Sequence, residues 1–223
     1  MHQRKSKQIF IYLFLLFLFG SITNTGFNNT KFLNLEKVIV SGLDDVDNRK
    51  LINKINNLKL KNIFFLNENK IKETIETNNL IENYKISKIY PSTLDIKINK
   101  TKSLAKINRN GQILFLGSNG KFSEKISQNK KLPFIFGKPK VSEFLYIKKI
   151  IDDSKFSYDE IKNLYFFPSK RWDIELNNSI FLKLPKNDLK NTLNYIFNFL
   201  ANNNLKDNTI IDARIENQIV IND

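Results

Sequence analysis

The chain has no cysteine, and its single histidine is His2. The first absence excludes a disulfide framework, a thiolate metal site and a thiol nucleophile. The second removes Ser-His-Asp chemistry and histidine-ligated zinc from everything beyond the first residues. Glycine is scarce, seven in 223 residues, and none stands in a G-x-G-x-x-G or G-x-x-x-x-G-K arrangement that would cradle a phosphate. No cofactor or metal is therefore expected. Carboxylates do occur, as Asp152-Asp153, Asp173 with Glu175, and Asp212, but glycan hydrolysis needs two of them facing across a substrate. Here the first pair falls at a helix end, and Asp173 and Glu175 form the polar face of a half-buried strand. No catalytic residue is assigned, and no small-molecule substrate is expected.

What is present is charge, with a formal net value of +14. Its lysines are scattered among asparagines and isoleucines without an arginine stripe, which argues against nucleic acid as the partner and for anionic lipid. One apolar run dominates, Ile9 to Ile22 (IFIYLFLLFLFGSI). Arg4, Lys5 and Lys7 precede it and the first basic residue after it is Lys31, so the basic bias holds the N-terminus in the cytoplasm and exports the rest. A bilayer core takes roughly 20 apolar residues, so spanning requires the helix to continue through Thr23, Asn24, Thr25 and Gly26 to Phe27. The alternative is a cleaved signal peptide, although no Ala-x-Ala site follows. Both readings export the remaining chain.

That remainder is long enough for two domains with real cores. Leu35 to Ser41 reads as a strand closed by Gly42. Leu51, Ile52, Ile55 and Leu58 mark one helical face, and Asn67 is placed to cap a second helix carrying Ile71 and Ile75. Two strands follow, Tyr84–Tyr90 and Thr93–Asn99, the latter with Leu94, Ile96 and Ile98 alternating on one face. Further on, Asn110-Gly111 joins the strands Leu104–Asn108 and Ile113–Leu116 as a hairpin, and Asn119-Gly120 repeats the turn signal. Phe144, Ile147 and Ile151 predict a helix over 142–154. Trp172, Ile174 and Leu176 alternate, with Trp172 on the core side, and Ile180, Leu182 and Leu184 alternate after Asn177-Asn178. Asn187 or Asp188 can cap a helix with a stripe of Leu189, Leu193, Ile196, Phe197 and Leu200. Strands over 209–213 and 218–221 close the sequence.

The order strand, helix, helix, strand, strand is that of a POTRA domain. Val38-Ile39-Val40-Ser41-Gly42-Leu43, Asn62-Ile63-Phe64-Phe65-Leu66 and Tyr90-Pro91-Ser92-Thr93-Leu94 resemble sequence blocks of the FtsQ/DivIB family of bacterial cell-division proteins. The second half is similar to that family's β domain, with Arg171-Trp172 opening a strand and Ile211-Asp212-Ala213-Arg214 standing where the family tends to have an Asp-Leu-Arg-like segment. The resemblance implies an α+β fold in four parts: a cytoplasmic stub (1–8), a single N-terminal transmembrane helix (9–27), a POTRA domain (33–101) and a mostly antiparallel β domain with flanking helices (102–223). It also implies a non-enzymatic scaffold of the bacterial inner membrane, acting at the division septum with its folded domains periplasmic and holding FtsB-like and FtsL-like partners. A POTRA-bearing chaperone or secretion component is the alternative, against which stands the lack of a long alternating barrel sequence.

The residues expected to meet a partner lie at the end of the second half. Ile215, Asn217, Ile219, Val220 and Ile221 read as one β-branched edge strand, and no proline or lysine guards the run from Ile215 to Ile221. An uncovered edge of this kind takes an added strand through main-chain hydrogen bonds. A proline at Val220 is the substitution that the sequence offers as a test. The basic residues Lys170, Arg171 and Arg214 are expected to flank the groove and steer an acidic segment into it.

Overall fold

The computed structural model describes residues 3–22, 34–126, 131–203, 206–215 and 218–222. The first element is helix α1 (Gln3–Ile22). Its large apolar residues from Ile9 to Phe19 are all exposed, up to 79% at Phe17. No helix of the described residues is long and apolar enough to cross a membrane. The opening Gln3–Gln8 is polar and basic, so the apolar part starts at Ile9, and α1 is described as far as Ile22, the expected continuation to Phe27 falling outside the described residues. Residues 23–33 lie outside the described ones.

Two compact units follow from the pattern of contacts, one of residues up to 75 with 84–98, the other of 76–83 with 99–223. The first contains β1 (Lys37–Ser41), α2 (Asp45–Asn56), α3 (Glu68–Glu76), β2 (Ile81–Ile89) and β3 (Thr93–Lys100), with β2 and β3 each reaching a few residues into the second unit. Strand β3 lies between β1 and β2, and β1 runs parallel to it with Val38 opposite Leu94 and Val40 opposite Ile96. A parallel pair needs a long crossover, and the two helices stand in the connection between its strands. The apolar positions spaced four apart, Leu51 and Ile55 on α2, Ile71 and Ile75 on α3, are all buried with Leu94, Ile96 and Ile98. Asn67 caps α3 as its position predicts, accepting the Lys70 N–H at 3.2 Å. Gly42 ends β1 at φ 107°, where a Cβ would lie 1.8 Å from the Ile98 carbonyl oxygen; only glycine fits there.

The second unit is built on a nine-stranded sheet and two helices. Its elements are β4 (Ser103–Arg109), β5 (Gln112–Gly117), β6 (Phe122–Ser123), β7 (Phe134–Phe136), α4 (Val141–Asp152), β8 (Ile161–Phe166), β9 (Trp172–Leu176), β10 (Phe181–Lys183), α5 (Leu189–Asn202), β11 (Ile210–Asp212) and β12 (Val220–Asn222). The strand order is β12-β11-β10-β9-β8-β7-β4-β5-β6. The sheet is mostly antiparallel, as expected, with five antiparallel neighbour pairs, but β4·β7, β7·β8 and β10·β11 are parallel and make it mixed. The two helices explain two of those pairs: α4 is the crossover from β7 to β8 and α5 the crossover from β10 to β11. Asn110 (φ 53°) and Gly111 (φ 83°) form the β4–β5 turn with both residues left-handed, the geometry that Asn-Gly favours.

Phe144, Ile147 and Ile151 of α4 and Leu189, Leu193 and Ile196 of α5 share one core with Ile135, Leu164, Ile174, Leu182 and Ile211 of the sheet. Trp172 belongs to it, 3% exposed. Asp188 occupies the N-cap of α5, but with left-handed backbone and no capping bond; its carboxylate instead accepts the Asn191 side-chain amide at 2.8 Å. The opposite sheet face is half-buried and carries a ring row, with Phe136 stacked on Tyr165 at 4.8 Å.

Candidate functional site

β12 is the outermost strand of the nine-stranded sheet. It pairs antiparallel with β11, setting Ile210 opposite Asn222, Ile211 opposite Ile221 and Asp212 opposite Val220. The direction of its main-chain groups follows from the next strand inward. The Ala213 N–H donates to the Lys183 carbonyl on β10 at 3.0 Å, and the Phe181 N–H to the Thr209 carbonyl. Because the groups alternate along a strand, Ile210 and Asp212 turn theirs toward β12. Val220 and Asn222 answer them, which leaves the N–H and C=O of Ile221 aimed away from the sheet. Val220 and Ile221 remain 43% and 41% exposed.

The walls of this edge are chemically distinct. The Ile221 side chain shares the helix-side face with buried Ile211, and Ile219 is packed against the same core. Beside them a cleft of about 480 Å³ is lined by Pro185 and Asp188 ahead of α5, by Thr192 and Tyr195 on it, and by Arg214 and Ile215. Tyr195 and Ile215 are both exposed. Ile215 is not part of the edge strand, and its carbonyl accepts the Gln218 N–H at 3.2 Å. Ile219 also precedes β12, which starts at Val220, and Asn217 lies outside the described residues. Of the single strand expected from Ile215 onward, the described part is thus a short ladder from Val220.

Charge crosses the sheet in a row. Register aligns Asp173, Lys183, Asp212 and Val220 on adjacent strands. Arg214 grips Asp212 through Nε at 2.8 and 3.0 Å and Nη2 at 2.5 Å, with its own N–H adding a fourth bond at 3.2 Å. The Arg214 hydrogen bond holds the Asp212 carboxyl below the usual carboxylate range. Arg171 forks onto Asp173 at 3.1 and 3.2 Å and lies over the Phe167 ring. Asp173, expected on the polar face of a half-buried strand, is 1% exposed. Burial pushes its carboxyl up, opposed by Arg171 and by the Leu184 N–H at 3.2 Å.

Arg171, Leu184, Arg214 and Ile219 therefore gather at one end of the sheet. Lys170, at left-handed φ 64°, and Arg171 nonetheless enter β9, three strands in from β12 and so about 14 Å from the ladder. Asp212, Lys183 and Tyr195 are the neighbours that sequence reasoning did not name as part of the site. Asp212, two residues before Arg214, carried the available signal. Among the described residues no group of three or more His, Cys, Asp or Glu is placed to hold a metal. Asp152 is tied to Lys148 one helical turn earlier.

Two family models match the chain between residues 33 and 214. Residues 33–100 match the POTRA domain, FtsQ-type, and residues 98–214 match Cell division protein FtsQ/DivIB, C-terminal. The chain belongs to the FtsQ/DivIB family. It is 27% identical to Cell division protein FtsQ of Rickettsia bellii, over 92% of this chain and 75% of that one. It is 27% identical to FtsQ of Rickettsia prowazekii, over 90% and 76%, and 21% identical to FtsQ of Bradyrhizobium diazoefficiens, over 71% and 48%. The family match stops at Arg214, one residue short of Ile215 and ahead of β12, so the edge geometry is read from this chain alone.

Proposed function

We propose that this cell-division protein is a non-enzymatic scaffold of the divisome that binds an FtsB-like partner by strand addition at β12, together with an FtsL-like protein. The reading divides the chain into a cytoplasmic stub (1–8), an inner-membrane anchor (9–27), and a POTRA domain (33–101) and β domain (102–223) in the periplasm, at the septum. The anchor draws support from the exposed apolar surface of α1 and from the basic residues before it.

One observation carries the partner reading: an edge strand with an outward donor and acceptor at Ile221 and no guarding lysine or proline from Ile215 to Ile221. An added strand would satisfy both groups, rest apolar side chains against Ile221 and Tyr195, and set its acidic residues near Arg214. The register moves the test from Val220 to Ile221. Ile221→Pro removes only an outward donor, which an edge strand tolerates, and is expected to abolish co-purification of the FtsB-like partner while the melting temperature stays near that of the unsubstituted chain. Val220→Pro removes an inward donor and should loosen β12 from β11 as well. Undiminished partner capture by a folded Ile221→Pro chain would exclude this edge as the binding site.

A further inference from the structure

Four large apolar side chains crowd one tip of the first unit. Phe64 (52% exposed), Phe65 (73%), Ile89 (49%) and Tyr90 (55%) come from the α2–α3 loop and from the β2–β3 turn, and the rings of Phe64 and Tyr90 stack at 4.8 Å. The loop is built to hold them out. Asn62, Ile63 and Leu66 on either side are buried, and the Asn62 side chain accepts the Phe64 N–H at 2.9 Å. Exposed aromatic rings on a fixed support forgo the stabilisation that burial would give them, and a patch of this kind marks a contact surface.

The position of the tip indicates what it meets. Residues 34–36 are bound to both of its loops: the Leu35 N–H donates to the Lys61 carbonyl at 3.0 Å, the Glu36 N–H to the Ser92 carbonyl at 2.9 Å, and Asn34 bridges to Asn62. This is where the chain arrives from α1, and from Ile22 to Asn34 even a fully extended backbone reaches only about 40 Å. Lys37, Lys59 and Lys61 stand exposed around the tip. Lys88 is paired with Glu68 at 3.0 Å, and Glu36 is held by the Ser92 hydroxyl at 3.4 Å, so the border is net basic. Aromatic rings at headgroup depth, ringed by lysines, are the chemistry of contact with an anionic bilayer surface.

We propose that this tip docks into the headgroup region of the anionic membrane that holds α1, fixing the first unit against the bilayer. The proposal rests on the reading of α1 as a membrane anchor. Because the chain has no cysteine, Phe65→Cys gives a unique site for a nitroxide in the full-length protein. Lys97→Cys serves as its control, since Lys97 pairs with Ser41 at the far end of β3 from Thr93. In vesicles of phosphatidylethanolamine and phosphatidylglycerol, the label at 65 is expected to be several-fold less accessible to a water-soluble nickel complex than in pure phosphatidylcholine vesicles, while the label at 97 stays accessible in both. Lys59→Glu combined with Lys61→Glu, which leaves the core untouched, should return the label at 65 to water. A chain that floats with the vesicles but keeps the label at 65 as accessible as that at 97 overturns the docking and leaves the anchor intact. Failure to float overturns both. Protection that arises only when FtsB-like and FtsL-like proteins are added makes the tip a protein interface and also overturns the proposal.

Discussion

Arg171 and Asp173 form the most consequential charge pair in the second unit, because one member is buried and the other is not. The Asp173 side chain is 2% exposed and that of Arg171 25%, and removing the cation leaves a carboxylate without its counter-charge in the interior. Arg171→Met is expected to destabilise the second unit by about 3 kcal/mol at neutral pH, as is typical when one half of a buried pair is deleted. The pH dependence has a definite sign. Burial already raises the Asp173 carboxyl above its ordinary value against the pull of Arg171, and without Arg171 it rises further. A carboxyl whose folded pKa exceeds its unfolded one costs stability above the folded pKa, and the cost is relieved as pH falls toward the unfolded value. The deficit of the variant in denaturant titrations should therefore shrink between neutral pH and the ordinary carboxylate range. Asp212 acts in the opposite sense. Arg214 lowers its carboxyl, so the stability it lends is present at neutral pH and lost as acid takes the pH down through the lowered pKa.

At the scale of elements, helix faces carry the first unit. Ile55 is fully buried on α2, and Ile55→Asp places an unpaired charge there, at a cost of about 4 kcal/mol or more. Hydrogen exchange on the full chain should show amide protection collapsing at Val40 and Ile96 while Ile174 and Leu182 retain theirs. Equal protection at all four positions would mean that this face is not buried. The same periodicity makes α2, α3, α4 and α5 legible in the amino-acid sequence, as does the alternation of β3, β9 and β10. Strands β6, β7 and β8 are not legible there, for physical reasons. β6 is two residues long and β7 three, too short to display a period. The pairing of β8 with β9 shifts register between Ile161 and Asn163, which scrambles its alternation. The mixed character of the sheet depends on which strands each helix connects, and no local pattern encodes that. For the candidate site, the unguarded apolar run and Arg214 can be read directly, whereas the outward aim of Ile221 depends on pairing register.

For the whole molecule, the proposed topology makes a direct prediction. Protease added to spheroplasts should digest the chain beyond about Phe27 and spare the basic N-terminal stub. A protected second unit in intact spheroplasts would place the folded chain on the other side of the membrane and remove the basis for both partner and bilayer readings.

The nine-stranded sheet is also lopsided. At one end stands β12 with its outward donor and acceptor, and at the other β6, only two residues long, with Phe122 under the Arg109 guanidinium at 3.9 Å. Within this sheet, growth by strand addition therefore starts at β12. Two copies meeting at β12 would pair about a two-fold axis, each edge capping the other, and such an isologous contact is closed. Pairing through β12 should therefore stop at the dimer, and sedimentation should show a concentration-dependent dimer that Ile221→Pro abolishes. On the proposed strand-addition reading, cells that make more of this protein than of a strand donor would hold the excess as self-blocked pairs, so the supply of donor strands would set how many copies are open for assembly.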